Sequence, residues 1–291
     1  MSTTLALARN LPRNSQATSA KRHLVLLTAS IAGCLVISTV ALAQEGDDGH
    51  ISGTAVASGW DVSVAGGVAN RPTFEGSDKY VTSVVPFFQA TYDDMISLGV
   101  DGINAYWHHD NLRVGVGLTR DPGRNDSKAS SIFSQGDSRL NGMGDIGGAV
   151  GLKMFGSYKF EFVNLTGSIS KFDGTDNKGV LANFGADIPF RLTDQLMIVT
   201  HVGATWADKN YMQTFFGVTP TQAADSSFTE YNAGPGVKDI DFGVKATYRI
   251  NQHWFVGGNI GVEKLTGDAA KSPIIFSKTD PTFMAMVGYH F

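Results

Sequence analysis

The last eleven residues narrow the fold more than any other stretch of the chain. Phe283, Ala285, Val287, Tyr289 and Phe291 fall on every second position, and the chain stops on the final aromatic. That is the pattern of a β-strand with one apolar face. In a soluble sheet such a strand would be an exposed edge, open to pairing with other chains. A transmembrane barrel removes the edge by pairing its last strand with its first. The aromatic end then matches the mark by which barrel-insertion machinery recognises a closing strand, so Phe283, Val287, Tyr289 and Phe291 are the expected assembly signal.

The other end of the chain agrees. Residues 1–43 carry Arg9, Arg13, Lys21 and Arg22 and no acidic residue, then an apolar run from Leu24 to Ala43, then Gln44-Glu45-Gly46-Asp47-Asp48. This is the layout of a signal peptide, with Ala41-Leu42-Ala43 placing small side chains where a peptidase cuts. Two other readings compete. The apolar run is long enough to span a bilayer as a helix, and Ile31-Ala32-Gly33-Cys34 has the form of a lipobox that would leave a lipidated Cys34. The apolar stretch from Leu35 to Ala43 and the acidic start after it favour cleavage after Ala43. Cys34 is the single cysteine, so a chain starting at Gln44 can form no disulfide.

Beyond residue 43 no apolar run reaches the length of a membrane helix, the mean hydropathy is near zero and the chain holds 34 glycines. A helical membrane protein is thereby excluded. Removing the leader's four cations leaves 19 Lys+Arg against 27 Asp+Glu, a net charge of −8, which argues against a nucleic-acid partner. A short linker, 44–58, and one domain, 59–291, account for the rest.

Within that domain, alternating segments of about ten residues recur, the length of a tilted membrane strand. Leu112, Val114, Val116 and Leu118 alternate with Arg113, Gly115, Gly117 and Thr119; Ile240, Phe242, Val244, Ala246 and Tyr248 alternate with Asp239, Asp241, Gly243, Lys245, Thr247 and Arg249. One face suits lipid and the other carries glycine or charge. Trp60, Tyr92, Trp107, Trp206, Tyr248, Trp254 and Phe291 stand at segment ends, as interfacial girdles require. Short connections such as 191–195 and 250–253 contrast with long ones at 121–140, 208–235 and 266–280. The fold expected is all-β: an antiparallel up-and-down transmembrane barrel closed by the C-terminal strand. Eleven strand candidates appear, at 59–69, 80–91, 95–105, 112–120, 143–154, 158–169, 180–190, 196–207, 237–249, 254–265 and 282–291. Because a bacterial barrel needs an even number, one segment between 59 and 120 is misread. The count is ten or twelve, with twelve preferred.

Several blocks resemble the MipA/OmpV family of outer-membrane proteins: Asn70-Arg71-Pro72-Thr73-Phe74-Glu75-Gly76-Ser77-Asp78, Leu140-Asn141-Gly142-Met143-Gly144-Asp145-Ile146, Ala207-Asp208-Lys209-Asn210-Tyr211-Met212-Gln213-Thr214-Phe215-Phe216-Gly217-Val218, and Gly267-Asp268-Ala269-Ala270-Lys271-Ser272-Pro273-Ile274. The resemblance covers about Trp60 to Phe291. It implies a Gram-negative outer-membrane location and a non-enzymatic role without cofactors, as a scaffold joining a membrane-bound lytic transglycosylase to a penicillin-binding protein. Other members imply a small porin-like channel in osmotic adaptation or antibiotic uptake, or an adhesin. It assigns no chemistry to Glu75, Gly76, Ser77, Gly144, Asp145, Tyr211, Phe216, Gly217, Ser272 or Pro273, which read as loop and strand-end architecture.

Three other motifs have bland readings that outweigh their chemistry. Gly136-Asp137-Ser138-Arg139-Leu140 resembles a broken hydrolase motif whose serine would need a base and an oxyanion hole. Ser168-Ile169-Ser170-Lys171 has a penicillin-recognising spacing, but that pair needs a helix and here ends a strand. Trp107-His108-His109-Asp110 offers metal ligands, yet reads as a polar turn beside a girdle tryptophan. The charges on the inward face, Asp101, Arg113, Lys153, Asp187, Asp239, Asp241, Lys245, Arg249 and Glu263, read as pairs across a narrow lumen or as the lining of a small pore. Replacing Phe291 with serine should lower the amount of assembled barrel in the membrane without altering any activity of the molecules that do assemble, as quantified by surface labelling; normal barrel levels would show that the terminal aromatic is dispensable.

Overall fold

The computed structural model describes residues 59–127, 135–174 and 178–291. The leader, the cleavage site, Cys34 and the 44–58 linker lie outside the described residues. Twelve antiparallel strands form one closed barrel: β1 (Trp60–Pro72), β2 (Tyr80–Tyr92), β3 (Ile96–Gly99), β4 (Gly102–His109), β5 (Leu112–Asp121), β6 (Ala149–Phe160), β7 (Val163–Asp173), β8 (Gly179–Arg191), β9 (Leu196–Ala207), β10 (Gly236–Arg249), β11 (Trp254–Leu265) and β12 (Thr279–His290). Each strand pairs with its neighbours in sequence, and β12 returns to β1 from Ser63↔His290 to Asn70↔Phe283. The last residue adds one more bond, Phe291 N–H to Val62 O at 3.0 Å.

The preferred count of twelve holds, and the misread segment is 95–105. It is two strands folded about a Val100–Asp101 tip, too short to show separate alternation. A second correction concerns 143–154 and 158–169, whose strands run instead from 149 to 160 and from 163 to 173. Residues 143–148 belong to a connection: Ile146 exchanges backbone bonds with Arg124 and is buried away from the wall.

The alternation has its expected consequence. Val116, Val150, Met154, Phe184, Ile240, Ile260 and Phe283 stand exposed on the outside of the barrel, where lipid covers them. The near end of the barrel holds both Trp60 and Phe291 and has connections of two to four residues between strands. Trp60, Tyr92, Trp107, Tyr248 and Trp254 ring this end, Trp60 packing on Tyr92 at 5.2 Å and Trp254 on Tyr289 at 5.2 Å. Of the seven aromatics expected to form girdles, only Trp206 lies at the far end. The girdle is therefore concentrated on one side.

Several of the inward charges meet partners on nearby elements. His201 is held between Asp187 (Nδ1 to Oδ1, 2.6 Å) and Asp241 (Nε2 to Oδ2, 3.1 Å), linking β8, β9 and β10. Lys153 lies 3.5 Å from Asp101, and the Arg113 guanidinium lies 3.7 Å from the Tyr106 ring centroid. Two glycines make room for the histidine. A Cβ on Gly203 would sit 2.7 Å from His201 Nε2 and 2.7 Å from Asp241 Oδ2, and one on Gly185 would sit 2.6 Å from His201 Cε1. Gly203→Leu should therefore overpack the lumen and cost about 1–3 kcal/mol, seen as a lower temperature at which the folded barrel loses its compact mobility in detergent gels; an unchanged transition would show that the lumen has slack there.

Candidate functional site

At the far end the described parts of the long connections pack on one another. The segments 73–79, 122–148, 208–235 and 266–278 contribute two apolar clusters. One gathers Ile146, Phe172, Tyr211, Met212, Phe215, Phe216, Ala233 and Leu265; the other gathers Phe74, Leu140, Met143, Val218 and Ile274. Burial on this scale away from the wall makes the far end a packed cap, since water-exposed loops bury little apolar surface. Its helices begin for local reasons. Asp208 caps α1 (Lys209–Phe216) by accepting from Tyr211 N–H at 2.8 Å, and Thr219 and Gln222 form a reciprocal capping box at α2 (Pro220–Asp225). Both caps are visible in the sequence.

All ten family-motif residues fall in this cap. Gly76 takes a positive φ of 89° and donates its N–H to Asp280 Oδ2 at 2.6 Å, while its carbonyl accepts from Phe276 and Ser277. A side chain there would also strike Ile275. Ser77 is fully buried, bonded to Thr73 Oγ1 at 2.8 Å and to Arg139 Nη2 at 2.9 Å. Gly144 and Asp145 pin the 122–148 connection to Asp126 through Gly144 N–H (3.2 Å) and Asp145 Oδ1 (2.9 Å). Tyr211 stacks on Phe215 at 4.5 Å, Phe216 is buried beside them, and Gly217 ends α1 by donating to Gln213 O. Ser272 Oγ donates to Phe216 O at 2.5 Å, and Pro273 follows it into the core that holds Ile274. The motifs are thus distributed over four connections and meet in one packed body.

Beneath the apolar layer lies a ring of buried ions. Lys238 Nζ contacts Glu75 Oε1, Asp239 Oδ2 (2.5 Å) and Glu263 Oε1 (3.5 Å). Asp280 stands at the same level, 3% exposed. Glu75, Asp239 and Glu263 bring oxygens within 4.8 Å of one another, a spacing that could hold a metal ion. The Lys238 ammonium already occupies the middle of that set, so the cluster has its cation built in. A second buried pair, Lys178 Nζ to Asp121 Oδ1 at 2.8 Å, ties the top of β5 to the start of β8. Arg124 donates to Phe215 O at 2.7 Å, and burial pulls its guanidinium down to about 10. Burial also pushes the Glu75 carboxyl well up, against the pull of Lys238. At the cap's edge, burial would raise Asp137, but bonds from Arg139 outweigh it and hold the carboxyl at about 2.

A polar cavity of about 220 Å³ lies below, lined by Arg71, Asp101, Lys153, His201, Thr205 and Asp241 among others. Lys238 was missing from the inward charges expected on β10. It sits at an irregularity, where the register with β9 shifts between Val237 and Asp239 and so turns an otherwise outward lysine inward. The signal was present: Val237-Lys238-Asp239 breaks the alternation that the rest of β10 keeps. Lys178, Arg124 and Asp280 carried no comparable mark.

The motifs read as bland remain so. Ser168 faces the lumen while Lys171 is exposed on the lipid side of β7, so the two cannot act together. Ser138 lies in a single helical turn braced by Asp137 and Arg139, and the His201 ring is already engaged by Asp187 and Asp241. His109 stacks on Trp107 at 5.6 Å and His108 bonds Asp94 O at 2.7 Å, as a near-end turn.

A profile of the family described as MltA-interacting protein MipA matches residues 64–291. Outer membrane protein OmpV of Vibrio cholerae is 31% identical over 94 residues, covering 32% of this chain and 36% of that protein, so the match spans about a third of each. Among solved structures, OmpT of Vibrio cholerae aligns with a TM-score of 0.39 at 8% identity, covering 82% of this chain and 99% of that one. OmpF of Salmonella typhi aligns at 0.36 and 11%, covering 80% and 97%.

Lys238→Met would leave Glu75, Asp239 and Glu263 without their cation, a loss of about 3–5 kcal/mol for a broken buried pair. The cap should loosen while the wall persists, so hydrogen exchange at Tyr211–Val218 should quicken with β7 and β8 unchanged; equal protection in both proteins would show that the ion ring does not hold the cap.

Proposed function

Because the chain belongs to the MltA-interacting protein MipA family, we propose that this outer-membrane barrel is a non-enzymatic scaffold for murein-remodelling enzymes, a lytic transglycosylase and a penicillin-binding protein, engaged from its periplasmic end. The observation that carries the reading is the cap. Its apolar clusters and buried ion pairs fill the far mouth, which suits a fixed body better than an open diffusion pore. The near end, which holds both ends of the barrel sheet, has short turns tipped by Asp93, Asp94, Asp110, Glu161 and Asp194. Four of these acids hold positive φ, between 44° and 54°, which keeps the turns tight and their carboxylates at the rim. A partner with basic side chains would meet the exposed carboxylates of Asp110 and Glu161, since Asp94 is already paired with Arg113 and His108. Enzymatic activity finds no support in a lumen whose histidine and carboxylates are engaged with one another.

A second reading is favoured by the polar cavity of about 220 Å³: a narrow channel, weakly selective because charges of both signs line it. One pair of measurements separates the two. The scaffold reading expects the purified barrel to retain a lytic transglycosylase on an affinity column and to release it as salt rises, with no conductance in planar bilayers. Stepwise conductance together with no retention would overturn it in favour of the channel.

A further inference from the structure

Charge is shared unevenly around the polar cavity. Eight carboxylates line it against five lysines and arginines. Beside β3–β5 each acid has a cation of its own: Asp94 lies 3.6 Å from Arg113, Asp101 3.5 Å from Lys153 and Asp121 2.8 Å from Lys178. The wall of β8–β12 has no such balance. Glu75, Asp239 and Glu263 share Lys238, Asp187 and Asp241 share His201, and Asp280 has no ion pair among the described residues. Even with Arg71 of β1 and Arg124 of the cap, four cations stand near these six carboxylates.

The deficit has a register behind it. Asp241, Glu263 and Asp280 are successive Cα partners across β10, β11 and β12, so three inward carboxylates stand in one row at strand spacing, an arrangement that repels itself. The next inward row is His201, Gly243, Gly261 and Thr282, whose two glycines put no side chain under the acids. Asp280 is the sharpest case. It is 3% exposed; its Oδ2 accepts from Gly76 N–H at 2.6 Å, while its Oδ1 has no hydrogen-bond donor and the side chain lines the cavity. Asp239 Oδ1 and Asp187 Oδ2 are buried without a donor as well. An unmet buried carboxylate oxygen carries its full desolvation penalty. This wall therefore calls for positively charged donors beyond those that the described residues supply.

Lys238 shows which cation the wall accepts: a primary ammonium, set among Glu75, Asp239 and Glu263. A metal ion would have to displace it from that set, whose oxygens lie within 4.8 Å of one another, and would need about six oxygens in one shell. A second ammonium needs only the unmet oxygens, and it brings three N–H donors to them. We propose that the lumenal face of β10–β12 is a binding site for a small aliphatic amine with one or more primary ammonium groups. One ammonium donates to Asp280 Oδ1 and lies over the row of Asp241, Glu263 and Asp280. The cavity of about 220 Å³ has room for more than a lone water. It is also lined by Asp94 of a near-end turn, whose side chain is 40% exposed, so the amine enters from the near end and stops beneath the cap. The site rests on groups inside the barrel and stands or falls separately from the scaffold role.

The test titrates the full barrel, in uncharged dodecyl maltoside micelles, with 1,4-diaminobutane and follows saturation transfer to the ligand by NMR against protein-free micelles. Saturable binding is expected. Neither 1,4-butanediol, which has the length without the charge, nor the fully N-methylated diamine, which has the charge without the N–H donors, should bind. Asp280→Asn, confirmed as folded by its heat-shifted mobility, should weaken the diamine about ten-fold, the scale of one charge-assisted hydrogen bond. Asp173→Asn, on the lipid side of β7, should leave the affinity unchanged. Four results would each overturn the proposal: no saturable binding, equal binding of the methylated diamine, displacement of the diamine by an equal concentration of calcium, or wild-type affinity in Asp280→Asn.

Discussion

No water in a bilayer can satisfy a strand's amides, and the pairing of β1 with β12 is what makes the rest of this structure admissible. Eight residue pairs, from Ser63↔His290 to Asn70↔Phe283, close a sheet that would otherwise present two open edges to lipid. Closure fixes the inside and outside of every strand at once, because side chains alternate and a slip of one residue would turn lipid-facing valines inward. The aromatic terminus sits at this seam. Tyr289 stacks on His253 at 5.3 Å and meets Phe291 at 5.0 Å, so the last residues of the chain are locked to the β10–β11 turn as well as to β1.

Once the wall is closed, the charges on the inner face of the strands are gathered in the lumen and beneath the cap. There each ionic group costs desolvation that only a partner offsets. The structure meets that cost with pairs between neighbouring elements: His201 with Asp187 and Asp241, Lys178 with Asp121, Lys238 with Glu75, Asp239 and Glu263. The ion ring under the cap joins the β1–β2 connection to β10 and β11, so the cap is fastened to the wall by electrostatics and packed above by apolar side chains. Among the described residues the strands are shortest at the β3–β4 hairpin, whose Asp101 tip also lines the polar cavity.

Much of this was legible beforehand. The alternation of β5, β9, β10 and β11 marked their bounds to within a residue, because lipid and lumen impose opposite chemistry on adjacent positions. The β3–β4 hairpin was not separable, since four residues give alternation too little length and Asp101 at the tip continues the polar face of β3. Met143–Gly148 read as strand for the converse reason: Met143 and Ile146 are buried in the cap, not against lipid, and hydropathy does not distinguish the two. The family motifs announced themselves as unusual without saying where they met, because Glu75, Tyr211 and Ser272 come from three connections far apart in the chain.

By itself the sequence determined the class of fold and the face each strand shows to lipid, because a period of two combined with a terminal aromatic strand leaves one admissible solution in a membrane. The helix caps at Asp208 and Thr219 are local in chain position, yet the pattern of 208–235 read only as a long connection. Only the tertiary structure decided that the described parts of the long connections pack into one cap, that Lys238 turns inward among three carboxylates, and that residues 95–105 fold into two short strands. The first two rest on contacts between residues separated by dozens of positions, and their energies depend on which side chains the closed barrel brings together, a quantity no local pattern encodes.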